Sequence, residues 1–116
     1  MIVEDELIIA MEMESLLRSL GCIVLDAVPS IRQALRVLAD GRPDAAVLDV
    51  NLQGERVTPV AAALRERGIP FVLVSGYGRE RLQEEPLQGA AYLRKPVDAG
   101  QLERSLEEVL ARAERD

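Results

Sequence analysis

A parallel α/β sheet covered by helices on both faces is what three features of this sequence predict. Short apolar runs alternate five times with stripes of helical spacing along 116 residues, the order that builds (βα)5 units. The runs at 44–49 and 69–75 are apolar almost throughout, as strands buried on both faces must be. No internal repeat, low-complexity tract or linker breaks the alternation, so one domain over 1–116 with no output domain is expected. Function in such a fold belongs beyond the carboxyl ends of the strands.

The first strand is confined to Met1-Ile2-Val3, ahead of the acids Glu4 and Asp5. Ile9, Met13, Leu16, Leu17 and Leu20 then form a helical stripe, closed by Gly21 where a left-handed residue is favoured. CIVLDAV at 22–28 reads as the second strand, with Cys22 as a core filler. Ile31, Ala34, Leu35 and Leu38 mark a second helix ending near Gly41, and Pro43 precedes the third strand, which ends on Asp49. Val57, Val60, Ala61 and Leu64 make a third stripe that stops at Gly68. IPFVLVS is the fourth strand and runs into the turn SGYG. Segment 79–88, RERLQEEPLQ, has only Leu82 before Pro86 breaks it, so a short and poorly anchored helix is expected there, the most mobile element of the chain. AAYLR at 90–94 is the last strand. Asp98 caps the final helix with Gln101 three residues on, and the stripe continues through Leu102, Leu106, Val109, Leu110 and Ala113.

Composition excludes several functions. Twenty acidic residues against 14 basic ones leave a net charge of −6, the wrong sign for a nucleic-acid binder. No apolar stretch approaches the ~18 residues that span a bilayer, and MIVEDELIIA carries acids where a secretion signal carries bases. A soluble, cytoplasmic protein without membrane contact is therefore expected, and its single cysteine permits no internal disulfide. Histidine is absent, which removes imidazole acid/base catalysis, Ser-His-Asp triads, imidazole zinc ligands and phosphohistidine chemistry on this chain.

Chemistry-bearing residues stand at four of the expected strand ends: Glu4 and Asp5 after the first, Asp49 after the third, Ser75 after the fourth and Lys95 after the fifth. A carboxylate ending a buried run is costly unless it is paired or put to work. Clustered carboxylates call for a cation, and all-oxygen ligands suit a hard ion that keeps several waters, so Mg²⁺ is expected. Lys95 is the only lysine beside thirteen arginines, a compact and flexible point charge. Each residue alone has a plainer reading. Glu4, Asp5 and Glu6 can complement a helix dipole, Ser75 can be a turn hydroxyl, Lys95 a solvated charge and Tyr92 filler. Their joint placement favours one site.

The acidic pair Glu4-Asp5, VLDVNL around Asp49, LVSGY around Ser75 and LRKP around Lys95, in that order, resemble the receiver domain of two-component response regulators over essentially the whole chain. The resemblance implies a flavodoxin-like, five-stranded parallel sheet of order 2-1-3-4-5. It implies that Asp49 is the phosphoacceptor, that Asp5, Asp49 and the backbone carbonyl of Asn51 ligate Mg²⁺, and that Glu4 holds the metal's waters. Ser75 and Lys95 would contact the phosphoryl oxygens, Ser75 and Tyr92 would act as switch residues, and Asn51 and Tyr77 would tune the phosphate's lifetime. The donor would be a sensor histidine kinase or a histidine phosphotransfer protein, and the chain would catalyse only its own phosphorylation and dephosphorylation. Its signal would leave through a downstream protein target. The expected contact surface is segment 79–88, strand 90–94 and the last helix, also a candidate homodimer interface.

A narrower likeness concerns PFVLVSGYG at 70–78, similar to the Pro-Phe-x-Phe-Ala-Thr-Gly-Tyr pattern of a subgroup, often single-domain, in alphaproteobacteria. Pro70, Phe71, Gly76 and Tyr77 match; Leu73, Val74 and Ser75 depart, and Tyr92 stands where that subgroup commonly lacks an aromatic. Two other classes are weighed. A phosphorylation-independent adaptor would show damage among the acids, Asp49 or Lys95, and none is damaged. An aspartyl-nucleophile phosphatase would need a second acid just beyond Asp49, where Asn51 stands instead.

Overall fold

The computed structural model describes residues 1–76 and 83–115, with the backbone alone at Arg115. Five parallel strands form one sheet: β1 (Ile2–Val3), β2 (Ala27–Val28), β3 (Ala46–Asp49), β6 (Phe71–Ser75) and β7 (Ala91–Arg94). Between β3 and the third helix, β4 (Asn51–Leu52) and β5 (Glu55–Arg56) pair as a separate antiparallel ribbon. The helices are α1 (Leu7–Ser19), α2 (Ile31–Asp40), α3 (Thr58–Glu66) and α4 (Ala99–Arg115), with a one-turn 3₁₀ helix at Glu85–Leu87. The sheet order is β2-β1-β3-β6-β7, which is 2-1-3-4-5 once the ribbon is set aside, as the resemblance implies.

Alternation along each strand divides the core between the two faces of the sheet. Val3, Ala46, Leu48 and Leu73 pack with α2 and α3, whereas Ile2, Val47, Val72, Val74 and Leu93 pack with α1 and α4. Both faces are therefore apolar, and burial of each fully enclosed Leu or Ile contributes roughly 2–3 kcal/mol relative to exposure.

Two helices end in the same way. Beyond α1, Gly21 at φ 89° lets the Cys22 and Gly21 amides donate to Leu17 O and Arg18 O, each at 3.0 Å. Beyond α3, Gly68 at φ 68° repeats the arrangement, with Ile69 donating to Leu64 O at 2.9 Å and Gly68 to Arg65 O at 3.1 Å. These are Schellman ends, which use up carbonyls the helix cannot satisfy. Gly41 stays extended, and α2 is closed instead by the Arg67 guanidinium, which donates to Leu38 O and Gly41 O. Two helices start on side-chain caps: Ser30 Oγ accepts from Gln33 N at 3.2 Å, and Asp98 Oδ2, the expected cap, from Gln101 N at 3.0 Å.

Several expectations are corrected. The second strand shrinks from 22–28 to Ala27–Val28 because β1 offers only Ile2 and Val3 to pair with it. Cys22 is consequently exposed rather than core, with Ile23 at 85% and Leu25 at 64% exposure beside it. Leu35 and Leu110 sit at the solvent margin of their helices. Between the third strand and the third helix, Leu52-Gln53-Gly54 turns the chain back as the ribbon, which the reading of helical stripes and apolar runs did not include. The later part of segment 79–88 is well anchored: Leu87 is fully buried, and Arg65 donates through Nε to Pro86 O at 2.7 Å and through Nη2 to Gln88 O at 2.8 Å. Tyr77, Arg79, Arg81 and Leu82, and with them the expected mobility of that segment, lie outside the described residues. Among the described residues no helix is long and apolar enough to cross a membrane.

Candidate functional site

Register brings the strand-end residues together. Val3 pairs with Leu48 and Asp49 with Val74, so Glu4, Asp49 and Ser75 emerge side by side at the carboxyl edge of three adjacent strands. Ser75 pairs with Arg94, and its carbonyl accepts from Lys95 N at 2.8 Å, which carries Lys95 to the same edge. Glu4, Asp49 and Ser75 are at most 7% exposed; no other polar or charged residues among those described are so deeply buried.

The side chains meet as the sequence predicts. Lys95 Nζ lies 2.9 Å from Glu4 Oε1 and 3.4 Å from Asp49 Oδ2. Glu4, Asp5 and Asp49 each offer a carboxylate oxygen, and these oxygens lie within 4.8 Å of one another. Asp49 Oδ1 accepts from Asn51 N at 3.3 Å, and Glu4 Oε2 from Glu6 N at 3.2 Å. Glu4 thus serves both the acid cluster and the entry to α1, so its two readings are not exclusive.

One ammonium cannot offset three carboxylates, and proton affinities record the imbalance. Burial, then the hydrogen bond and charge of Glu4, push the Asp49 carboxyl up to about 7 against the weaker pull of Lys95 and Asn51 N–H. Burial also pushes Glu4 up, but hydrogen bonds with Asp49, Lys95 and Glu6 outweigh it and hold Glu4 below its ordinary value. For Lys95 burial is likewise outweighed, by Glu4 and Asp49, so its ammonium is held above the usual range. Burial and the charge of Glu4 therefore favour retention of a proton by the Glu4–Asp49 pair near neutrality. An excess of carboxylate charge of this kind is one that a hard cation can offset.

Tyr92 lies on β7 opposite Leu73, half-buried against the α2–α3 side of the core. Tyr77 is outside the described residues. Sequence reading missed two residues beside the site. Arg56 donates to Glu84 through two nitrogens, Nε to Oε1 at 2.8 Å and Nη2 to Oε2 at 2.9 Å, across a separation of 28 residues. Both sit in charged stretches that offer no local signal of pairing.

Comparison with known proteins agrees with this geometry. The family model described as the response regulator receiver domain matches residues 1–107. The two-component response regulator PhoP of Pseudomonas aeruginosa is 30% identical over 97% of this chain and 52% of its own length. The chain spans about half the length of the curated relatives it matches. Among solved structures, SdrG of Sphingomonas melonis is 39% identical with a TM-score of 0.80, over 94% of this chain and 92% of SdrG. A CheY-like response regulator receiver domain of Methylobacillus flagellatus is 33% identical with a TM-score of 0.80, over 93% and 94% of the two chains.

Proposed function

The chain belongs to the response regulator receiver domain family, and from that premise we propose that it is a phosphorylation-dependent switch whose Asp49 takes a phosphoryl group from the phosphohistidine of a sensor kinase or phosphotransfer protein. One observation carries the reading: Asp49 stands at the open end of β3 with Lys95 Nζ 3.4 Å away and two further carboxylates close enough to share a cation with it.

In the transfer, an Asp49 oxygen forms its bond to phosphorus as the phosphorus–nitrogen bond breaks in line, and the departing imidazole takes up a proton. Positioning and charge balance supply the catalysis. Lys95 would leave Glu4 to meet a phosphoryl oxygen, and Ser75, one strand away, would offer a hydroxyl to another. The donor set fits Mg²⁺: oxygen ligands only, an excess of negative charge, and an Asp49 carboxyl whose raised proton affinity a hard cation would lower. Asp5, Asp49 and the Asn51 carbonyl would hold the ion, and Glu4 would bind its waters. When bound, it would offset charge on the phosphoryl oxygens.

Once Asp49 carries phosphate, its added charge would draw Ser75 inward, and Tyr92 would turn further into the space beside Leu73. The altered surface, with α4 and β7 at its heart, would be read by a downstream protein.

Titration with Mg²⁺ and beryllofluoride, followed by NMR, tests this function. The amides of Asp49, Ser75, Tyr92 and Lys95 should shift in the wild type and stay in place in Asp49→Asn. Spectra that do not change in the wild type would overturn the switch.

A further inference from the structure

We propose that the Arg56–Glu84 ion pair positions the backbone carbonyl of Asn51 for the cation, so that cation affinity and the placement of the 3₁₀ turn after β6 are coupled. The inference rests on the reading of the acid site given above.

Asn51 lies directly opposite Arg56 across the ribbon. Leu52 and Glu55 flank the two-residue turn as its hydrogen-bonded pair, and beyond Asn51 the Val50 carbonyl accepts from Val57 N at 2.9 Å while the Val50 amide turns to Val74 O at 3.1 Å. Antiparallel pairs alternate, so Asn51 and Arg56 form a pair whose backbone groups point away from each other and whose side chains lie close. The Asn51 amide indeed turns out of the ribbon and donates to Asp49 Oδ1 at 3.3 Å. In an extended residue the carbonyl faces the same edge as the amide, which for Asn51 is the edge on which Asp49 Oδ1 lies.

The ribbon that sets this direction is weak by itself. Its strands are two residues each, and an isolated hairpin of that size is marginal in water. The turn conforms, with Gln53 at φ 53° and Gly54 at φ 86°, the positive pair that a type I′ turn requires. Leu52 and Val57 are buried and hold one side of it. The other side is held by Arg56, through a two-pronged contact with both oxygens of Glu84, the strongest geometry such a pair adopts.

Glu84 is itself fixed. Its carbonyl accepts from Leu87 N at 2.8 Å, Leu87 is buried, and Arg65 fastens Pro86 O and Gln88 O while lying over the Phe71 ring. A continuous path therefore runs from the core of α3 through the 3₁₀ turn and the ion pair to Asn51. Any pull on the Asn51 carbonyl is felt at Glu84, and the reverse holds by linkage.

Mg²⁺ titration by calorimetry on the full chain tests the coupling, with thermal unfolding of each variant as control. Arg56→Ala and Glu84→Ala should each weaken Mg²⁺ about fivefold, and the double variant should be no weaker than either single one. The exchanged pair Arg56→Glu/Glu84→Arg should recover to within about twofold of wild type. In the metal-free protein the Val57 amide should exchange with solvent faster in Glu84→Ala than in wild type. Singles that bind Mg²⁺ like wild type, or losses that simply multiply in the double variant, would overturn the coupling alone. A wild type that binds no Mg²⁺ would overturn the reading of the acid site, and this inference with it.

Discussion

Lys95 stands nearer to Glu4 than to Asp49, with its Nζ 2.9 Å from Glu4 Oε1 and 3.4 Å from Asp49 Oδ2. The lysine therefore lends its charge mainly to Glu4 and leaves Asp49 under-compensated. Removing that charge exposes the imbalance. In Lys95→Met the Asp49 carboxyl should titrate above the value of about 7 it has with the lysine present. Carbon-detected NMR of the Asp carboxyls reads the midpoint, and an unchanged or lower one would show that Lys95 does not act on Asp49.

Stability should depend on pH through the same residue. Asp49 titrates near 3.8 in the unfolded chain and about 7 when folded, so between those values the folded state holds the extra proton. The site's contribution therefore falls as pH rises from about 4 to 7 and is flat above. Glu4 acts oppositely: its lowered value gives stability present above the unfolded pKa and lost as pH falls through the folded one. Asp49→Asn, which removes the strained charge, should stabilise the protein at pH 8 by about 1–3 kcal/mol after allowance for solvent screening at the crevice mouth. At pH 4 the difference should be small. Denaturant unfolding at the two pH values checks both magnitude and sign.

Cation binding should release that proton. Below about pH 7, Mg²⁺ affinity should drop roughly tenfold per pH unit. Calorimetry at pH 6 in buffers of different ionisation enthalpy should show close to one proton released; no buffer dependence would contradict the shared proton.

The ribbon turn is testable without any ligand. A Cβ on Gly54 meets nothing within 4 Å, so Gly54→Ala carries only the backbone cost of its φ of 86°, about 1 kcal/mol of stability. Gln53 already adopts φ 53°, and Gln53→Asn should stabilise by a few tenths of a kcal/mol, because Asn tolerates that region better. Thermal unfolding of the two variants should move in opposite directions.

Residues whose reason for being in place is local could be read in advance. Asp49 stood out because an acid closes an apolar run, and Gly21, Gly68 and Asp98 end or begin helices through contacts within a turn of themselves. The parallel order followed from alternation of element types. What could not be read depended on distant partners. CIVLDAV has the composition of a buried strand, yet its length is set by the two residues β1 offers it, which leaves Cys22 and Ile23 in water. Gln53-Gly54 lacks the Asn-Gly signature of its turn, and the Arg56–Glu84 pair spans 28 residues with nothing in either segment to announce it.

Incubation of the wild type with Mg²⁺ and acetyl phosphate, or with a phosphorylated donor, followed by borohydride reduction and peptide mass spectrometry, locates the acyl phosphate directly. Homoserine at position 49 in the wild type, and none in Asp49→Asn, is the predicted result. No reduced residue, or one at Asp5 or elsewhere with position 49 unmodified, would contradict it.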